Sequence, residues 1–129
     1  MLDCINARLY QSQYRVSKRL FFFSDVNDCE KYLAAYLSGE KSQWQSLGWD
    51  IDALPSDIYT PLHIVNHVFH QEGEHLFGYD FATLEWLLRQ GGFTEIRRMS
   101  YGQSLDDDLA IDLPNHASYS LYVEAVRYE

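Results

Sequence analysis

The stretch YDFATLEWLLRQGGF, Tyr79 to Phe93, carries a whole helix together with the signals that start and stop it. Asp80 can accept from the free N–H groups of the first turn, so it is placed as an N-cap. Phe81, Leu84, Leu87 and Leu88 then fall on one helical face. Gly91-Gly92 ends the helix, because glycine enters the left-handed conformation of a C-terminal cap without steric cost. Phe93 is placed to fold back on the apolar face as the contact that follows such a cap.

Downstream, Thr94 to Ser100 reads as a strand with Ile96 inward in a polar, arginine-bearing segment. Asp106, Asp107 and Asp108 mark a solvated acidic loop, since the triple lacks the glycine and distal glutamate of a calcium loop. Pro114 to Ala117 is a turn. Ser120 to Arg127 alternates, with Leu121, Val123 and Ala125 on one side and Tyr122, Glu124 and Val126 on the other, as a strand does.

Upstream, Thr60-Pro61 opens a helix, threonine as cap and proline at its first position. It is expected to run to about Gln71 and stop at Gly73. Residues 40–58 form a connection whose Trp44, Leu47, Trp49, Ile51 and Leu54 lack a period, as expected of short turns lying on the core. Arg19 to Ser24 holds the apolar run Leu20 to Phe23, which suits a strand covered on both faces. Ser24 or Asp25 is placed to cap the next helix. Its predicted buried face is Val26, Cys29, Leu33, Tyr36 and Leu37, and Gly39 ends it. Residues 1–16 have no clean period.

The order strand, helix, connection, helix, helix, strand, loop, strand predicts an α/β fold. A long helical crossover normally joins parallel strands, whereas the last two strands are close in sequence and should be antiparallel. A small mixed sheet of three or more strands with packed helices follows. The 129 residues fit one domain, with residues 1–18 as an N-terminal extension of uncertain structure.

Composition narrows the function classes. Aromatic residues reach 16%, enough large rings for a short chain to build a core. The formal net charge is -9, with Lys and Arg outnumbered by acids, 10 to 19. Nucleic acids and anionic membrane surfaces need clustered basic residues, so both are excluded as expected partners. The cluster Arg15, Lys18 and Arg19 reads as a solvated turn before a strand. No apolar run approaches a membrane span. Cys4 and Cys29 are too few for a disulfide scaffold, and the start resembles no signal peptide, so free thiols and a cytoplasmic location are expected.

Parts of these segments resemble a known family. Tyr79 to Leu84 followed by Leu87 to Phe93 is similar to the YD-x-x-T/E-L-x-x-L-L-x-x-A-G-F segment of predicted class I S-adenosylmethionine-dependent methyltransferases, which precedes the sixth strand. Asn66 to His75 resembles the stretch before that segment, and Ser120 to Ala125 the seventh strand. Arg19 to Leu37 is more loosely similar to the fifth strand and its helix. The resemblance covers about residues 19 to 128 and implies the C-terminal half of a Rossmann-like methyltransferase fold. It also implies that the final strand lies between the other two, antiparallel to both.

In that family the cofactor lies on a glycine-rich loop after the first strand, with a carboxylate at the ribose. This sequence has no GxGxG, and only about 18 residues precede the presumed fifth strand. No residue is therefore assigned to S-adenosylmethionine, and no cofactor is expected in this chain. The expectation is a methyltransferase-like domain without activity of its own, acting as an interaction module. One edge of its first strand would be exposed, and exposed edges pair with other chains. A homodimer or a partner chain at that edge is expected. The alternative is the substrate-side half of a split methyltransferase.

A third reading rests on histidines. At about 100° per residue, His63, His67 and His70 project within roughly 60° of one another, opposite Val65, Val68 and Phe69. Histidines four apart on a helix can ligate zinc, nickel or copper, with Glu72 or Glu74 nearby. The zinc-protease pattern is missing, since Ile64 stands at its glutamate position. The face is otherwise solvated or structural, or it lines a polar cleft whose candidate residues are His67, His70, Glu74, His75 and Tyr79. No nucleophile arrangement stands out, and Cys29 belongs to the core.

Overall fold

In a computed structural model, which describes residues 18–23, 26–70, 73, 77–109 and 112–128, the helix read from residues 79–93 forms as expected. The elements in chain order are β1 (Lys18–Phe23), α1 (Cys29–Ser38), α2 (Lys41–Ser46), α3 (Pro61–His70), α4 (Phe81–Gln90), β2 (Thr94–Met99) and β3 (Tyr122–Tyr128). Pro114–His116 adds one 3-10 turn.

Asp80 caps α4 by accepting from the Thr83 N–H at 2.8 Å. Gly92, at φ 84, turns the chain left-handed after α4. Phe93 N–H then donates to the Leu88 carbonyl at 3.0 Å, and its ring is buried against the helix it leaves. Leu84, Leu87 and Leu88 face the sheet, where Phe23, Ile96, Leu121, Val123 and Ala125 meet them. Each such side chain, fully buried, contributes on the order of 1.5–3 kcal/mol.

The sheet order is β1-β3-β2, with β3 antiparallel to both neighbours. The sheet is thus antiparallel throughout rather than mixed. The two strands joined by the helical crossover do run the same way, but β3 lies between them, so no parallel pair forms. β3 is buried on both faces from Tyr122 to Val126. The ladder to β2 carries a bulge between Thr94 and Arg97, where Glu95 takes a positive φ of 48. Phe22, Leu109 and Tyr122 form a small cluster on the face away from α4. Lys18 and Arg19 belong to β1 itself rather than to a turn before it, and Arg15 lies outside the described residues.

The second layer departs further from the expectation. Residues 26–28 stay extended instead of opening a helix. Leu121 N–H donates to Val26 O at 2.7 Å and Asp28 N–H to Tyr119 O at 2.8 Å, so long-range partners hold this backbone. Asp28 is the N-cap residue of α1; Ser24 and Asp25 lie outside the described residues. The buried face of α1 is Cys29, Tyr32 and Ala35, while Leu33, Tyr36 and Leu37 are exposed. Two apolar stripes compete on this helix. The stripe with Ala35 lies against α3, where a small side chain permits close approach.

The connection 40–58 also contains a helix, α2, not read from the sequence. Its Trp44 is 2% exposed and packs with Leu47, Ile58, Ile64, Val65 and Val68. α3 starts as expected, with Thr60 Oγ1 accepting from the His63 N–H at 3.2 Å. Gly78 links the layers. A β-carbon there would lie 2.9 Å from Cys29 Sγ and 3.3 Å from Phe69, so only glycine fits. No helix among the described residues is long and apolar enough to cross a membrane.

Candidate functional site

α3 is amphipathic as expected, with Ile64, Val65 and Val68 buried. Its histidines do not act together. His63 is exposed, and its Nδ1 accepts from the Tyr59 N–H at 3.2 Å. His67 is half-buried, its ring 5.9 Å from that of Trp49. His70 is exposed. Among the described residues, no group of three or more His, Cys, Asp or Glu side chains is placed to hold a metal ion. Glu72, Glu74 and His75 lie outside the described residues. Tyr79 is buried in the α4 cluster, and its carbonyl accepts from the Cys29 N–H at 2.9 Å. It stands in the core between the two layers, not on the histidine face.

The polar groups gather elsewhere. Because β1 and β2 run the same way, their carboxyl ends share one edge of the sheet with the amino end of β3. Two clusters stand there, one toward each face.

The first is centred on Asp28, which is 0% exposed. Arg98 Nη2 donates to Asp28 Oδ2 at 2.5 Å, and Arg98 Nη1 lies 3.6 Å from Glu30 Oε2. Asp28 Oδ1 is buried without a hydrogen-bond partner. Burial pushes the Asp28 carboxyl above its usual value, and the Arg98 guanidinium pulls it partly back. Beside it, burial pushes the Cys29 thiol up to about 11. Cys29 is thus a buried thiol, in the core as the sequence suggested, and burial favours its protonated form.

The second cluster is centred on Asp112. Its Oδ1 accepts from Leu113 N–H at 2.8 Å and meets His116 Nδ1 at 3.0 Å. Its Oδ2 accepts from the Tyr122 hydroxyl at 2.7 Å, and its carbonyl from the Tyr101 hydroxyl at 3.2 Å. Burial, and then the Asp112 acceptor, raise the Tyr122 hydroxyl above its ordinary value. In the neutral tautomer with Nδ1 donating to the carboxylate, the His116 lone pair lies on Nε2. An imidazole fixed in this way is oriented to accept a proton or a hydrogen bond. Farther along the same face, Glu124 is buried on β3, where its Oε1 accepts from Ser104 Oγ at 2.5 Å and Leu105 N–H at 2.9 Å.

Sequence reading missed the Asp28–Arg98 pair because its members are distant in the chain. Asp28 and Arg98 are 70 positions apart. The one local signal is the spacing of four between Asp112 and His116 around Pro114.

Among the described residues, adjacent glycines are not placed as the family resemblance requires for S-adenosylmethionine. Its family cradle is a glycine-rich turn leading into a helix N-terminus, where N–H groups point outward. Here the adjacent glycines, Gly91 and Gly92, follow the C-terminus of α4, where carbonyls point outward. No family model, no curated protein and no solved structure matches this chain.

Proposed function

We propose that these 129 residues form a truncated domain resembling the C-terminal half of a class I methyltransferase. They do not transfer methyl groups alone, and they act as an interaction module. The observation that carries this reading is the order β1-β3-β2 with a reversed central strand. It is the arrangement that the resemblance implies for the last three strands of that fold. The outer edge of β1 pairs with no strand among the described residues, and it is the edge through which such a sheet would be completed. Calorimetry of the chain with S-adenosylmethionine tests the reading. No saturable heat is expected, and clear binding by these residues would overturn it.

The Asp28–Arg98 and Asp112–His116 clusters favour a second reading, the substrate-side half of a split enzyme. They stand at the carboxyl ends of β1 and β2, the end of the sheet where ligands lie in the Rossmann-like fold that the resemblance implies. In that case cofactor binding and methyl transfer appear when a chain bearing the cofactor half is added. Transfer should then fall on substituting Arg98 or His116.

A further inference from the structure

Two buried carboxylates, Asp28 and Glu124, each leave one oxygen without a partner, and they are held differently. Glu124 is fixed by two uncharged donors, the Ser104 hydroxyl and the Leu105 N–H. Asp28 is the N-cap residue of α1, yet its side chain makes no capping bond. Its Oδ2 is held by the Arg98 guanidinium, which is 45% exposed and comes from the end of β2. The backbone at Asp28 is secured separately. Its N–H donates to Tyr119 O at 2.8 Å, and its carbonyl accepts from Lys31 N–H at 3.1 Å. The side-chain link between α1 and β2 therefore rests on charge, and the backbone around it does not.

We propose that Asp28 and Arg98 form a proton-released latch between the start of α1 and the end of β2. While Asp28 is ionised, Arg98 is docked on it. When Asp28 takes up a proton, the charge that holds Arg98 is gone. The guanidinium then turns to solvent, and the backbone pairing stays. The charged groups around the pair are Glu30 and Lys31 on α1, and Asp80 before α4. Lys31 is turned to Ser118 O at 3.0 Å. Glu30 lies 3.6 Å from Arg98 as an exposed pair, and such pairs contribute little. Burial favours the uncharged form of Cys29 beside them. Burial also raises the Asp28 carboxyl against the pull of Arg98, so release falls above pH 3.8 rather than below it. In the released state a cation faces solvent at the carboxyl end of β2, where the docked state presents a neutralised pair. The latch depends on neither functional reading above.

NMR of the full chain tests it, by following the Asp28 carboxyl carbon and the Arg98 guanidinium N–H groups together. The exposed neighbour Arg97 serves as the reference for exchange. Relative to Arg97, protection of Arg98 should fall about tenfold or more as Asp28 gains its proton, since a charged hydrogen bond is lost. Both changes should share one midpoint. Asp28→Asn should show the lower protection already at neutral pH. Arg98→Gln should move the Asp28 midpoint up by about one pH unit or more, because the opposite charge no longer favours the ionised form. Glu30→Gln should leave the release in place. Separate midpoints, full protection in Asp28→Asn, an unmoved Asp28 midpoint in Arg98→Gln, or a release abolished in Glu30→Gln would each overturn the proposal.

Discussion

The α4–β2–β3 layer and the α1–α2–α3 layer are both well buried, but their cores are encoded differently. In the first, each feature is announced nearby in sequence: Asp80 before the helix, Gly92 after it, Phe93 folding back within five residues. In the second, the decisive contacts join segments far apart. Trp44 meets Ile64 and Val68, and Asp28 is fixed by Tyr119 and Arg98. Local signals therefore say where a chain turns and caps. They do not say which of two possible faces it buries.

The largest test of this contrast compares one core residue from each layer. Trp44→Ala should cost about 3–5 kcal/mol and Leu88→Ala about 2–5 kcal/mol, from lost burial and the cavities left behind. Urea unfolding followed by circular dichroism and by tryptophan fluorescence should give coincident transitions in both variants. Separate transitions would show that the two layers unfold independently.

A smaller effect is expected where the layers touch. Gly78→Ala forces a β-carbon to 2.9 Å from Cys29 Sγ. Overpacking of this kind costs about 1–3 kcal/mol. Adding Cys29→Ala removes the nearest atom, so the double variant should recover part of the loss. Full additivity of the two costs would refute the contact.

The smallest effects sharpen the contrast between two helix caps. Asp80→Ala should cost about 1 kcal/mol through its lost hydrogen bond to Thr83. The pH dependence of the two aspartates has opposite sign. The Thr83 hydrogen bonds hold the Asp80 carboxyl below its usual 3.8, so its stabilisation is present above 3.8 and is lost as pH falls through the lower folded value. Burial holds Asp28 above 3.8, so its contribution is present below 3.8 and is lost as pH rises through the raised value. Denaturation midpoints measured across this range should lose the acid-side fall in Asp80→Asn. They should lose the opposing fall above pH 3.8 in Asp28→Asn. Equal slopes in both variants would contradict the assignment.

The histidine face shows the same limit at the candidate site. Periodicity placed His63, His67 and His70 on one side of α3, and the helix formed. The residues that gather at the carboxyl ends of β1 and β2 are Asp28, Arg98, Asp112 and His116 instead. Tertiary pairing brings Asp28 and Arg98 together across 70 positions, whereas Asp112 and His116 meet within one local turn.

The sequence by itself determined the number and kind of most elements, the caps of α3 and α4, and the strand character of β1, β2 and β3. These depend on backbone conformation and side-chain period, which act within one or two turns. Tertiary structure decided the rest. It set the buried stripe of α1, the helix over residues 41–46, the need for glycine at position 78, and the pairing of Asp28 with Arg98. Each depends on which surfaces come within contact distance. Burial energy decides that only after distant segments have met.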